Sequence, residues 1–372
     1  MTEAALRALA SCAAEPFERA HAMPPAAYTD PGVLALEQER IFAREWICVG
    51  RASTLAEPGA YVTLEVAGQP VAVIRQPDGT IRAFSNVCLH RMSTLLEGSG
   101  RTAAIVCPYH AWTYNLDGTL RAAPHMDRSD GFDRTACRLP ELRCEHWQGW
   151  VYVTLDRDIA PVAERLAPLT EMVAPYHMEN YVETFREEHV WDTNWKILAE
   201  NFMESYHLPM LHRGTIGPYS KIEEMDCPPG LPTFNYHWII KDATLPIGNA
   251  HLDNRHLEGQ WRKTTGLFAI YPSHMITLTP GYFWYLVLQP RGVGKVHMLF
   301  GGGLAPEFLA DPQGPGYMAQ LKALLDRVNI EDRTGVEAVF KGLNAPLARA
   351  GRLSWLERPN YDFARYLAER LV

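Results

Sequence analysis

Residues 88–110 read CLHRMSTLLEGSGRTAAIVCPYH, a C-x-H-x16-C-x2-H pattern in which Cys88, His90, Cys107 and His110 form two thiolate–imidazole pairs. The spacing predicts two short loops that meet around one metal group. The flanking sequence supplies their scaffold. From Trp46 to about Asp156, β-rich runs (TLEVAG, PVAVIRQPDGTIRAF, TYNLDGTLRAA, WVYVTLD) are separated by turn signals. Pro77-Asp78-Gly79 and Asp117-Gly118 each lie between alternating runs and predict hairpins. This half is expected to be a small, mostly antiparallel β domain.

Two metal groups take two cysteines and two histidines. In a Rieske-type [2Fe–2S] cluster, Cys88 and Cys107 would bind one iron and His90 and His110 the other. Neutral imidazoles in place of two thiolates make such a cluster less negative and raise its potential. The competing reading is a structural zinc site. Zinc sites more often pair Cys-x-x-Cys with His-x-x-x-His, whereas each half here mixes one of each, so the spacing favours the cluster. The other cysteines, Cys12, Cys48, Cys137, Cys144 and Cys227, lack ligand spacing and are read as core or surface thiols.

The bulk properties fit an enzyme acting on a small molecule. With 372 residues and 47% hydrophobic composition, the chain can bury a substantial core. Its net charge of -8 and scattered Lys and Arg give no nucleic-acid or anionic-membrane signature. Charged residues from Glu3 to Arg19 interrupt any signal-peptide run, and no stretch is apolar enough to span a membrane. A cytoplasmic protein with reduced thiols is expected.

After Asp156 the periodicity changes. Residues 160–180 are helix-compatible, 183–192 alternate as a strand, and 194–208 (NWKILAENFMESYHL) have helical spacing until Pro209. Residues 234–241, 265–278, 282–290 and 295–301 are predicted strands, and 315–343 one long helix. The class is α+β. The divisions are residues 1–44 as a helical N-terminal segment, 45–156 as the cluster domain and 157–372 as a second domain.

A second constellation lies at residues 194–213. On a helix, Glu200, Glu204 and His207 share one face at steps of four and three, and His212 follows Pro209, where the chain can turn back. Two histidines and a carboxylate make a facial triad that leaves positions open on non-haem Fe(II). Polar groups on a helix end are the bland alternative, but a one-electron cluster needs an electron acceptor.

With both motifs in hand, the sequence resembles the catalytic (α) subunit of a Rieske non-haem iron oxygenase, from Trp46 to the C-terminal helix. The resemblance implies an N-terminal antiparallel β Rieske domain and a helix-grip (START-like) catalytic domain with an antiparallel sheet and a long C-terminal helix. It implies that His207 and His212 bind Fe(II), with Asp332 in NIEDRTGVEAVFKGL as third ligand. Glu331 points roughly 100° away on a helix, so only one of the two can ligate, and Asp326 is the alternative. Glu204 would bridge to a Rieske histidine, His90 or His110, of the neighbouring subunit, and Asn201 would support the iron site.

The resemblance also implies partners. No G-x-G-x-x-G follows a strand, so electrons from NAD(P)H should arrive through a separate flavin/iron–sulfur reductase. In the family, cluster and iron lie too far apart within one subunit, which implies a homotrimer. Glu at position 204 is similar to members oxidising quaternary ammonium compounds such as choline, carnitine or betaines. Phe234, Tyr236, Trp238, Trp261, Tyr271, Tyr282, Phe283 and Trp284 are candidates for a cation–π cage or for plain core. The alternatives are a hydroxylase or O-demethylase of an aromatic acid held by Arg255, Arg262 or Lys263, and a Rieske electron carrier without oxygenase activity.

Overall fold

In the computed structural model, which describes residues 1–240 and 248–372, the chain forms two compact units: residues 42–165, and residues 1–41 together with 166–372. The first is built from β1 (Ile47–Arg51), β2 (Ala60–Val66), β3 (Gln69–Arg75), β4 (Ile81–Ser85), β5 (Ser99–Arg101), β6 (Ile105–Val106), β7 (Thr113–Tyr114), β8 (Leu120–Ala122), β9 (Glu141–Trp147) and β10 (Trp150–Thr154). One antiparallel sheet runs β1-β10-β9-β4-β3-β2-β5, and β6-β7-β8 make a smaller one. The predicted hairpins form where the turn chemistry asks for them. Asp78 accepts the Thr80 amide at 2.9 Å between β3 and β4, and Asp117 accepts the Thr119 amide at 3.0 Å between β7 and β8.

The second unit carries one antiparallel sheet of β11 (Val182–Trp191), β12 (Met225–Asp226), β13 (Phe234–Ile239), β14 (Thr265–Ile270), β15 (His274–Leu278), β16 (Tyr282–Pro290) and β17 (Val296–Leu304), in the order β11-β17-β16-β15-β14-β13-β12. The run at 265–278 is thus a hairpin of two strands. The predicted strand at 234–241 is β13, and Lys241 lies outside the described residues. Helix Trp195–Met203 packs against β13, β14 and β16, and the 30-residue helix Gly314–Leu343 packs against helix Trp195–Met203. The α+β class read from the sequence is the class observed.

The N-terminal helices Thr2–Ala14, Pro25–Thr29 and Pro31–Glu37 belong to this second unit. Glu37 explains the attachment. Its fully buried carboxylate takes Lys196 Nζ at 2.5 Å and Trp195 Nε1 at 2.8 Å, pinning the start of helix Trp195–Met203. Such a charge survives burial only because it is paired and hydrogen-bonded. Among the described residues, no helix is long and apolar enough to cross a membrane.

Candidate active site

The two metal-binding loops are built alike. Cys88 O accepts from Met92 N at 3.0 Å, Cys107 O accepts from Ala111 N at 3.1 Å, and Met92 and Ala111 both sit in the left-handed region at φ 54° and 56°. Each loop therefore closes on itself, with its cysteine buried. Burial pushes the Cys107 thiol up, but the N–H groups of Tyr109 and His110 and contacts from Cys88 and Ser93 outweigh it, leaving its pKa below the ordinary value. The Tyr114 hydroxyl lies 3.3 Å from Cys88 Sγ. On the other side, the His90 and His110 rings stand 4.7 Å apart, His90 stacks on Trp112, and His110 is exposed. His90 Nδ1 is buried without a hydrogen-bond partner, which suits a nitrogen that holds a metal. The loops thus bring Cys88, His90, Cys107 and His110 together with a thiolate-stabilising side and an imidazole side, the donor set a [2Fe–2S] cluster of Rieske type needs.

In the second unit, Asn194 caps helix Trp195–Met203 by accepting the Lys196 amide at 3.0 Å. The helix ends at Met203, earlier than the sequence spacing predicts, so Glu204 and His207 do not share a helical face with Glu200. The cause is Glu204 itself. Its carboxylate captures the backbone amides of Tyr206 and His207, and Ser205 spends its hydroxyl on His237 Nε2 at 2.7 Å, an alternative to helical bonding. Pro209 does not stop a helix but opens one, in the short turn Leu208–Leu211.

This break aims His207 and His212 at helix Gly314–Leu343. Asp332 Oδ1 lies 3.6 Å from His207 Nε2 and 3.1 Å from His212 Nε2, and single donor atoms of the three residues all lie within 4.8 Å of one another. The outer nitrogens are held too, His207 Nδ1 by Glu204 at 2.6 Å and His212 Nδ1 by Glu331 at 2.8 Å. Asp332 Oδ1 is buried with no hydrogen-bond partner. Burial works against a charged His212, yet Asp332 and Glu331 outweigh it and raise its pKa. An orphaned carboxylate oxygen, two converging nitrogens and a negative local field fit a divalent cation in a two-histidine, one-carboxylate site.

Beside the triad lies a cavity of about 110 Å³. The two-residue period of β16 turns Tyr282 and Trp284 into it and sends Phe283 to the opposite face. Trp191, Phe202 and Tyr219 complete its aromatic wall, and Asn201 also lines it. The sequence reading missed those three aromatics, since each sits at the end of an element or in a turn where no periodicity reports a facing. Besides Phe283, the other five of the eight proposed cage residues lie elsewhere. Phe234 is buried in the sheet, Tyr236, Trp238 and Trp261 pack on one another, and Tyr271 packs on Phe363 and Tyr366. Arg255 is exposed beside Asp253, Arg262 donates to the carbonyls of His251, Asn254 and Leu257, and neither they nor Lys263 line the cavity.

His237, which has no ligand spacing in the sequence, supports the site from beneath. Burial, then the charge of His207, push it down to about 3, so it stays a neutral partner for Ser205. Glu331, which by spacing is only the residue that Asp332 displaces, is the group that orients His212.

Comparison with known proteins matches residues 45–146 to the Rieske [2Fe-2S] domain and residues 178–372 to the family described as ring hydroxylating alpha subunit (catalytic domain). The glycine betaine monooxygenase oxygenase subunit of Chromohalobacter salexigens is 36% identical over 215 residues, 58% of this chain and 48% of that protein. The chain thus matches about half the length of that relative. The chloroplastic choline monooxygenase of Beta vulgaris is 29% identical over 96% of this chain and 78% of its own. A solved quaternary ammonium Rieske monooxygenase, studied for carnitine oxidation and inter-subunit electron transfer, superposes with TM-score 0.83 at 26% identity, covering 97% of this chain and 98% of that one.

Proposed function

The chain belongs to the ring-hydroxylating alpha subunit family and carries a Rieske [2Fe–2S] domain, and on that premise we propose that it is the terminal oxygenase of a quaternary ammonium monooxygenase. Its substrate is a small trimethylated ammonium compound of the choline, carnitine or betaine type, hydroxylated or oxidatively demethylated with O2. Electrons come from a separate NAD(P)H-dependent reductase, and the working assembly is a homotrimer in the cytoplasm. The observation that carries the reading is the aromatic, anionic cavity over His207, His212 and Asp332, lined by Glu204 and Asp332 but by no lysine or arginine among the described residues. Such a lining attracts a cation and offers a carboxylated arene no lysine or arginine to pair with. At about 110 Å³ the cavity also suits a ligand well below drug size.

His207, His212 and Asp332 would hold Fe(II), which would supply the centre for dioxygen reduction, and Cys88, His90, Cys107 and His110 would hold a [2Fe–2S] cluster, which would supply the electrons. The chain's own residues do the rest. Glu204 and Glu331 each accept a proton-bearing Nδ1, which aims both Nε2 atoms inward and keeps them free to ligate. Trp284 and Phe202, in edge-to-face contact at 5.3 Å, form a dry wall that holds the ammonium and excludes water. Asn201 lines the same cavity and is assigned a supporting role there. In the trimer, Glu204 is assigned the link to His90 or His110 of the neighbouring subunit, an assignment supported by the inter-subunit electron transfer described for the solved relative.

The test is a screen with a matched reductase, following substrate-dependent NADH oxidation and O2 uptake with choline, carnitine, glycine betaine and aromatic acids. Turnover with trimethylated amines is expected, with formaldehyde marking any demethylation. Turnover confined to aromatic acids would overturn the substrate class, and electron transfer without O2 uptake would favour a simple carrier.

A further inference from the structure

Two hydroxyls on the cavity floor have no partner among the described residues. Thr265 and Thr277, 4% and 5% exposed, both line the cavity, and both Oγ1 atoms are buried without a hydrogen bond. Equally buried threonines in the same unit are satisfied: Thr193 donates to Val336 O, Thr264 to Gln260 O and Thr279 to Tyr282 O. The cavity's serines are satisfied as well, Ser205 with His237 and Ser220 with Ile216 O. The sheet explains why these two are not. Thr277 pairs with Leu267 on one side and Trp284 on the other, and Thr265 pairs with Ile239, so no cross-strand side chain offers an acceptor, and the lone indole N–H of Trp284 makes no bond to Thr277. Because Leu267 is two residues beyond Thr265 and directly opposite Thr277, the threonines are diagonal neighbours on one sheet face, within reach of one small ligand.

Buried hydroxyls without partners are costly, and two that face the same cavity can be completed by one ligand there. Building on the quaternary ammonium reading, we propose that Thr265 and Thr277 recognise an uncharged hydrogen-bonding group on the substrate, a hydroxyl a few bonds from the trimethylammonium. The enzyme therefore prefers a quaternary ammonium alcohol to a carboxylated betaine. A substrate carboxylate would enter a cavity whose described lining holds Glu204 and Asp332 and no lysine or arginine, and those two carboxylates already offset the charge of a divalent cation at the triad, so its desolvation would be poorly compensated. A hydroxyl carries no such penalty. It can donate to one threonine and accept from the other.

The test is calorimetric binding to the anaerobic, metal-loaded chain, which needs no turnover. The probes are choline, ethyltrimethylammonium (choline without its hydroxyl), glycine betaine and benzoate. Wild type is expected to bind choline roughly tenfold tighter than ethyltrimethylammonium, and tighter than glycine betaine. In the Thr265→Val/Thr277→Val double variant the choline advantage should vanish while ethyltrimethylammonium binds at least as well. Valine nearly matches threonine in shape and removes an unsatisfied hydroxyl, so the fold should persist. The single variant Thr277→Ser keeps a hydroxyl and should keep part of the preference. A choline preference that survives the double variant, or tighter binding of glycine betaine by wild type, overturns the proposal. Equal binding of choline and ethyltrimethylammonium sinks this proposal alone, whereas benzoate binding with none of the three ammonium probes sinks it together with the quaternary ammonium reading.

Discussion

Glu331 Oε2 lies 2.8 Å from His212 Nδ1, while the next residue of the same helix, Asp332, lies 3.1 Å from Nε2 of that ring. Adjacent residues thus address opposite nitrogens of one imidazole, and Glu331 is fixed in turn by the Thr215 hydroxyl at 2.6 Å. Removing Glu331 leaves the three ligands present but one of them unaimed. Glu331→Ala is expected to lower Co(II) or Fe(II) affinity about 10–100-fold, whereas Asp332→Ala should abolish stoichiometric binding. Calorimetric titration reads both, and an unchanged affinity in Glu331→Ala would show that packing alone aims His212.

Glu204 has two separable duties. Its carboxylate accepts from His207 Nδ1 and from two backbone amides, and a glutamine oxygen can still do part of this. Glu204→Gln should therefore retain both metals by elemental analysis yet lose turnover by about 10–100-fold, because the charge proposed to couple the subunits is gone. Near-normal turnover in a fully loaded variant counts against the bridging role.

Trp284 lies in the cavity wall, braced by Phe202. If it holds a cation, Trp284→Leu should weaken a trimethylammonium ligand by about 0.5–2 kcal/mol. The neutral carbon analogue 3,3-dimethylbutanol is the control. Equal losses for the charged and neutral ligands would mean that Trp284 contributes only apolar surface.

Glu200 gives the protein a pH signature independent of its metals. Burial pushes its carboxyl up to about 8, against the opposing effects of the Tyr28 hydroxyl, 2.8 and 2.9 Å from its two oxygens, and of Lys196. The folded pKa lies above the ordinary value of 4.5, so the native state binds this proton more tightly than the unfolded chain. Its contribution is fully present below pH 4.5 and is lost as pH rises towards 8. Glu200→Gln, permanently neutral, should remove that decline, which is worth on the order of a few kcal/mol. Melting temperatures from pH 5 to 9 check this, and parallel curves for variant and wild type would refute it.

The cluster motif was legible because its geometry is local: two short turns fix the positions of Cys88, His90, Cys107 and His110 whatever the surrounding sheet does. The long helix was equally plain, and its roughly 100° step per residue separates Asp332 from Glu331 by periodicity alone. What the sequence hides is non-local. Glu331 acquires its role from a histidine 119 residues away. The early end of helix Trp195–Met203 depends on Glu204 choosing backbone amides over solvent, a competition that spacing does not record. The cage aromatics scattered for a simpler reason. Only alternate residues of β16 face the cavity, and Trp191, Phe202 and Tyr219 reach it from three other elements.

The buried Glu37–Lys196 pair sets a rule for recombining this chain with its relatives. Exchanging residues 42–165 alone leaves that pair intact, since both partners belong to the other unit. A crossover that imports everything before residue 166 separates Lys196 from its own Glu37, and any incoming sequence without an equivalent carboxylate strands an ammonium in the core, a loss of about 3–5 kcal/mol. For chimeric enzymes the reducible module is therefore an insertion within the catalytic unit, to be swapped at two junctions rather than one.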